Sequence, residues 1–217
     1  MIHGVEVTVG AEAVTVTAGE ALTVVSSAVT GGGFVSARSI VNLHVPKDCP
    51  WQTADRALAD FIRRQGLVAP VVGLLTSAWT ELAEVATESR DGVTAVVAVT
   101  VGLGNVVSSG RTTAEAATPG TINTIVIVDA AVDPAALVNA VITVTEVKTL
   151  ALASARIRCR GGEPATGTST DAVVVAATGR GRQCRFGGPI STMGWTVARA
   201  ARTALETGVE RWQERHR

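Results

Sequence analysis

The stretch Gly120-Thr121-Ile122-Asn123-Thr124-Ile125-Val126-Ile127-Val128-Asp129, followed by Asp133-Pro134, decides the fold class of this chain. Thr121 to Val128 is nearly continuous Ile, Val and Thr, which reads as a central strand covered on both faces. Asp133 suits a helix N-cap and Pro134 the first helical position, and nothing interrupts a helix until about Ala153. Working outward, Val93 to Val101 reads as a second central strand. Between the two lies Gly102 to Gly120, a Gly/Ser/Thr-rich loop of a length that is more often functional than idle. Downstream, Thr166 to Thr170 is a second hydroxyl-rich loop, Ala172 to Ala177 a strand, and the Arg/Gly segment after it a loop. A final helix starts at Ser191 or Thr192, with Val197, Ala201, Leu205, Val209 and Trp212 along one side.

Upstream, Val5, Val7 and Val9 and then Val14 and Val16 alternate with polar residues around Gly10-Ala11-Glu12, the pattern of a β-hairpin. Ala21 to Val25 leads through Ser26 and Ser27 into Gly31-Gly32-Gly33. Phe34 to Val45 is then extended until Pro46 stops it, which puts Ile40, Asn42 and His44 on one face. Thr53 fits an N-cap, with Ala57, Leu58, Phe61 and Ile62 at helical spacing until Gly66. Val71 to Leu75 reads as a short strand, and Trp79 to Thr87 as a helical turn or two before the Asp91-Gly92 turn. Strands outnumber helices without alternating strictly with them, so the expected class is α+β. We expect one domain over 1–217, with a mixed or antiparallel buried sheet flanked by helices, an N-terminal hairpin and a C-terminal amphipathic helix.

Composition narrows the function classes. The 217 residues carry 19 Lys+Arg against 19 Asp+Glu, a balance that argues against a nucleic-acid partner, which needs a basic surface. Met1 to Glu6 reads as a strand rather than a secretory signal. The apolar windows Val93 to Leu103 and Ile122 to Val132 are too short and too interrupted for a membrane span, so no membrane association is expected. Cys49, Cys159 and Cys184 form no CxxC pair and are odd in number, which fits reduced thiols in a cytoplasmic protein.

Several residues stand out chemically. On the long helix Lys148, one of only two lysines, falls with Leu137, Val141, Val144 and Ala151, and must therefore snorkel, pair with a carboxylate or lower its pKa. Glu146 lies about 200° away, with Asn139 and Thr143, so it and Lys148 cannot share one pocket. Thr121 and Asn123 either donate hydrogen bonds to a bound amide and its oxyanion or cap a strand end. Asp171 either serves as a base or closes a turn, and Asp129 reads as a turn residue. His44, the only histidine away from the termini and with Asn42 as its expected partner, is either a base or a structural histidine, and one such histidine excludes the usual zinc sets, so no metal site is expected. Cys49 raises a Cys-His amidase, against which Lys47 to Pro50 reads as a turn with no helix N-terminus to activate a thiol. Gly31 to Gly33 permits close backbone approach to a ligand but is no dinucleotide fingerprint, and the loop at Gly167 lacks the lysine of a phosphate-binding loop. Arg156, Arg158 and Arg160, and later Arg180, Arg182 and Arg185, read as solvated loops or a site for an anionic partner.

Six segments in order carry a family resemblance. They are Ser26-Ser27-Ala28 with Gly31 to Gly33; Asn42-Leu43; Val99-Thr100-Val101-Gly102-Leu103 with Asn105; Gly120 to Asn123; Thr145-Glu146-Val147-Lys148; and Ala165 to Ala172. Together they resemble the adenosylcobinamide amidohydrolases. The resemblance implies corrinoid salvage: hydrolysis of the amide joining aminopropanol to a propionate side chain of the corrin ring, giving adenosylcobyric acid. No cofactor is expected on the protein, because the cobalt belongs to the substrate. A large, amide-rich substrate suits a wide site of Thr, Asn and Gly, so Asn42, Gly32, Gly33, Asn105, Thr121, Asn123, Thr166, Thr168 and Thr170 are expected around it. Glu146 or Asp171 is expected to activate water, and Lys148 or His44 to handle the proton. A variant uses a threonine hydroxyl, with Gly120-Thr121 or Gly167-Thr168 as a self-cleavage junction. The competing class is a non-catalytic corrinoid or small-ligand binding protein. Oligomerisation and association with a corrinoid importer are left open by the sequence.

Overall fold

The computed structural model describes residues 1–113 and 120–216. Strands β1 (Val5–Val9) and β2 (Ala13–Ser26) form the expected hairpin, but β2 does not stop at Val16. It runs on through Ala21–Val25 as one strand and pairs with β3 (Gly33–His44) along its length, with a register slip between Thr17 and Leu22. Such a slip increases local twist, and only the stretch beyond it, Thr23–Ser26, reaches β11 (Ala172–Ala177). The main sheet runs β4 (Val71–Thr76), β3, β2, β11, β8 (Ile122–Asp129), β6 (Val93–Val101), β5 (Glu84–Arg90), with β1 on the side of β2. Short pairs join β7 (Val106–Val107) to β10 (Gly167–Thr168) and β9 (Ala131–Val132) to β12 (Gln183–Cys184). A mixed sheet with separate helices is the α+β class expected.

Two features of this frame place the site. The pairs β3/β4 and β8/β11 are parallel, and each is bridged by a helix, α1 (Trp51–Arg64) for the first and α2 (Pro134–Ser154) for the second. The sheet also folds over on itself. Val14, Val24, Ile40 and Leu74 from one half share a buried cluster with Val96, Ala98, Ile125, Ile127 and Val174 from the other. α1 covers the outer face of β3/β4 through Leu58 and Phe61 against Val41, Leu43 and Val71. α2 and α3 (Thr192–Arg215) cover the outer face of β6, β8 and β11. The result is four layers, helix, sheet, sheet, helices, and it explains why the central strands are apolar on both faces.

Sequence and structure part at four places. Glu84–Arg90 is an edge strand preceded by one short helical turn at Thr80–Leu82, where a longer helical piece is expected; its alternating exposure is that of a strand with one face in water. α1 begins at Trp51 with Pro50 in the cap position, not at Thr53. Cys49 therefore does stand at a helix entrance, with its Sγ 3.6 Å from the Pro50 oxygen. The loop from Gly102 contains β7, and its positions 114–119 lie outside the described residues. Finally, α2 is long and apolar enough to cross a membrane by composition alone, but Leu137, Ala140, Val144, Ala151 and Leu152 are buried in the core. Asp133 takes the cap position of α2 without a side-chain cap bond, its Oδ1 accepting from Gln183 Nε2 at 2.6 Å instead. Ser191 caps α3, accepting from Gly194 N–H at 3.0 Å.

Candidate active site

Strand parity dictates where the polar residues of β8 and β11 point. Asn123 shares the inner face with Ile125 and Ile127, whereas Asp171 shares the outer face with Val173 and Val175, beneath α2. Lys148 comes down from α2 onto Asp171 Oδ2, and the two side chains are only 9% and 10% exposed. Of the readings open for this lysine, the structure takes pairing with a carboxylate. Asp171 is held on every side. Its Oδ2 also accepts from Thr168 N–H at 3.0 Å, and its Oδ1 accepts from Ile122 N–H at 2.9 Å and from the Thr168 hydroxyl. A buried carboxylate is tolerated only with such donors. Gly167 makes the pairing possible, since a Cβ there would lie 2.4 Å from Asp171 Oδ2 and 3.0 Å from Lys148 Nζ.

Gly120 and Thr121 sit over this pair. The Gly120 carbonyl accepts from Thr170 Oγ1 at 2.8 Å and lies 3.2 Å from Thr168 Oγ1. Thr121 is 3% exposed, and its Oγ1 lies 2.8 Å from the Thr170 oxygen and 2.9 Å from Asn123 Oδ1. Asn123 in turn donates through Nδ2 to Asn42 Oδ1 at 2.8 Å and to the Leu75 carbonyl at 2.9 Å, and Asn42 donates to Thr100 Oγ1 at 2.9 Å. This buried chain joins the two sheet layers at the end where the site lies, closing the apolar interlayer core. Asn105 donates to Ser169 Oγ at 2.7 Å, and Thr166 is bound to Ser109 and Val107 on the loop that carries β7.

Thr121, Asn123, Asn42, Thr168, Thr170, Asp171 and Lys148 thus converge through hydrogen bonds to one another and to the Gly120 carbonyl, Asn105 joins them through Ser169, and Thr166 adjoins them through β10. Other expected residues do not join them. Glu146 is exposed on α2, on the side turned away from Lys148. His44 bonds the Ala78 carbonyl through Nδ1 at 2.9 Å and stacks on Trp79 with centroids 5.0 Å apart, so Asn42 is not its partner. Gly32 and Gly33 shape the β2–β3 connection: a Cβ on Gly32 would meet the Ala28 oxygen at 2.6 Å, and Gly33 takes φ +81°. Asp129 closes a turn, accepting from Thr178 at 2.7 Å and Arg180 at 3.3 Å. Among the described residues, no three His, Cys, Asp or Glu side chains come together as a metal site.

Beside Gly120 opens a cleft of about 300 Å³, floored by Val101, Gly102, Gly104 and Gly120 and walled by Trp79 and, from the end of α3, Arg211, Trp212 and His216. Trp212 stacks on His216 at 4.1 Å, so each of these tryptophans is backed by a histidine ring. Sequence reasoning missed this cleft, counting Trp212 with the core side of its helix. The available signal was scarcity: the chain has four tryptophans and no tyrosine, and two of the four wall one cleft. Its glycine floor brings backbone close to a ligand.

Compared with known proteins, residues 1–217 match the family model described as adenosylcobinamide amidohydrolase. The chain belongs to that family. The resemblance read from the six motifs is borne out by this match. A curated member from Methanosarcina mazei, named adenosylcobinamide amidohydrolase, is 34% identical over 145 residues, 67% of this chain and 64% of the relative. The aligned part thus spans a little under two thirds of that family member's length. Among solved structures, the PH0078 protein of Pyrococcus horikoshii superposes with a TM-score of 0.47 at 11% identity, covering 95% of this chain and 83% of that one. A Burkholderia beta-aminopeptidase gives a TM-score of 0.47 at 12% identity, covering 91% and 78%.

Proposed function

We propose that this chain hydrolyses the amide between aminopropanol and a propionate side chain of adenosylcobinamide, consuming one water and releasing adenosylcobyric acid, in corrinoid salvage. The observation that carries the reading is the convergence at Gly120-Thr121 of three threonine hydroxyls and a buried Lys148–Asp171 pair, beside an open cleft. Amide hydrolysis needs a nucleophile, donors for the oxyanion and a proton for the departing amine. In this scheme the Thr170 hydroxyl donates to the substrate carbonyl. Asp171 and Lys148 hold Thr168 in position, and the Thr121 hydroxyl faces the carbonyl carbon. With four donors on its two oxygens, Asp171 has no free edge for a water, and Glu146 is exposed on α2. Both observations support a threonine nucleophile over carboxylate-activated water. Asn42 and Asn123 brace the strand ends, Asn105 and Thr166 the loops around them.

The corrinoid lies along the glycine floor between Trp79 and Trp212, flat against apolar and aromatic walls, with its amide rim toward Lys47 and Arg215. The cobalt enters with this substrate and not as a resident cofactor of the chain. All three cysteines are free, which supports a reducing, cytoplasmic setting. The test is to incubate the purified protein with adenosylcobinamide in dim light and follow products by chromatography with mass detection. Adenosylcobyric acid and aminopropanol in equal amounts are the expected result. Tight binding without turnover would make the protein a carrier, and neither binding nor turnover would overturn the substrate.

A further inference from the structure

The peptide bond between Gly120 and Thr121 is set up for attack from within the chain. Thr170 gives its hydroxyl hydrogen to the Gly120 oxygen at 2.8 Å, and the Thr168 hydroxyl, shared with Asp171, lies 3.2 Å from the same atom. A hydroxyl donor on a carbonyl oxygen stabilises the negative charge that grows there when a nucleophile adds to its carbon. Gly120 takes φ +138°, and a Cβ there would strike Asn105 Oδ1 at 2.5 Å, so the position is shaped for glycine. The next residue supplies a hydroxyl almost fully shielded from solvent. On the far side of the bond the chain is tied down, with Ile122 N–H on Asp171 and β8 paired to both β6 and β11. Moreover, among the described residues the acceptors around Thr121 Oγ1 are a backbone carbonyl and the Asn123 amide oxygen, neither of them a base.

We propose that the chain cuts itself between Gly120 and Thr121, and that the freed Thr121 is the nucleophile of the amide hydrolysis proposed above, a second half that rests on that reading. Thr121 Oγ adds to the Gly120 carbonyl carbon, and the C–N bond breaks. The hydroxyl proton ends on the departing Thr121 nitrogen, leaving an ester between the two residues. One water hydrolyses the ester, giving the Gly120 carboxylate and a Thr121 with its hydroxyl restored and a free α-amine. That amine supplies a base on the same residue as the nucleophile. With the Gly120 carbonyl withdrawn, the Thr170 hydroxyl faces the substrate carbonyl in its place.

Intact-mass spectrometry of the purified full chain under denaturing conditions tests the cut. Two chains, 1–120 and 121–217, whose summed mass exceeds the unbroken one by a single water, are expected, with N-terminal sequencing of the second beginning Thr121-Ile122-Asn123. Thr121→Ser should still cut, Thr121→Ala should remain one chain, and Thr170→Val should cut about 100-fold more slowly through loss of one donor. Circular dichroism and size-exclusion establish that each variant is folded, and Thr170→Val, which leaves the buried pair intact, carries the test should Thr121→Ala fail to fold. An unbroken wild-type chain overturns the inference, and if that chain hydrolyses adenosylcobinamide at full rate the function stands without it. Cleavage of Thr121→Ala at the same bond also overturns it, because the cut would then come from another protease. A cut chain that leaves adenosylcobinamide untouched keeps the self-cleavage and removes the substrate reading.

Discussion

The two crossovers of this protein, β3–α1–β4 and β8–α2–β11, have the same topology and different chemistry. Both join parallel strands through a helix. In the first, the helix meets the sheet through Ala54, Leu58 and Phe61, all apolar. In the second, an otherwise apolar helix puts Lys148 against Asp171 at the start of β11, and the first residues of β8 complete the site. The site therefore occupies the amino ends of the strands, whereas ligands in open parallel sheets gather at the carboxyl ends. The difference teaches that a crossover of the same topology can bury a charged pair where a small residue leaves room for it. The first crossover reaches the site at its far end, where Asn123 donates to Asn42 Oδ1 and to the Leu75 carbonyl.

The comparison breaks most sharply at the ion pair. Lys148→Met leaves Asp171 buried with its counter-charge gone and should cost about 3–5 kcal/mol in a urea melt, along with turnover. The double variant Lys148→Met/Asp171→Leu should regain part of that stability and none of the activity. In the apolar crossover, Leu58→Ala should cost about 2–5 kcal/mol while turnover per folded molecule stays as in the parent. If Leu58→Ala lowers turnover as Lys148→Met does, the division between the two units fails.

The glycines sharpen the same contrast. A Cβ on Gly167 meets the Asp171 and Lys148 head groups, and one on Gly73 meets the end of the flexible Leu58 side chain at 2.5 Å. Gly167→Ala should lose about 1–3 kcal/mol and most of the turnover, while Gly73→Ala loses a similar or smaller amount of stability and keeps its rate. Asn42→Ala, which removes one of the links between the units, takes a hydrogen-bond partner from both Thr100 and Asn123 and should cost about 1–3 kcal/mol in melts.

The smallest effect is alkaline and belongs to the second unit. Burial pushes the Cys184 thiol, in the strand paired just before α2, up from its ordinary 9.0, with Arg182 drawing it part of the way back. Because the fold prefers the neutral thiol, stability present at neutral pH is lost as pH rises past the ordinary value toward the raised one. The loss should appear between melts at pH 8 and 10 and be absent in Cys184→Ala.

Much of this was legible in the sequence. The period-2 alternation of the hairpin, the Val/Ile runs of the central strands, and the Asp133-Pro134 and Ser191 helix starts come from local sterics and hydrogen bonding, which a short window contains. The anomaly of Lys148 and the polar openings of β8 and β11 were visible for the same reason. What a window cannot contain is which side of a helix meets which strand. Glu146 and Lys148 are both chemically able, and only the packing of α2 on β11 buries the second and exposes the first. His44 and Asn42 share a face, but the fold-over of the sheet sends Asn42 to Asn123 and Thr100 and leaves His44 to Ala78 and Trp79. The cleft brings Trp79 and Gly120 to the end of α3, a helix far along the chain from both. Sequence alone determined the elements and the inventory of reactive groups, because propensity and periodicity act over a few residues. Tertiary structure decided their partners, because burial and pairing are settled between strands and helices that only folding brings together.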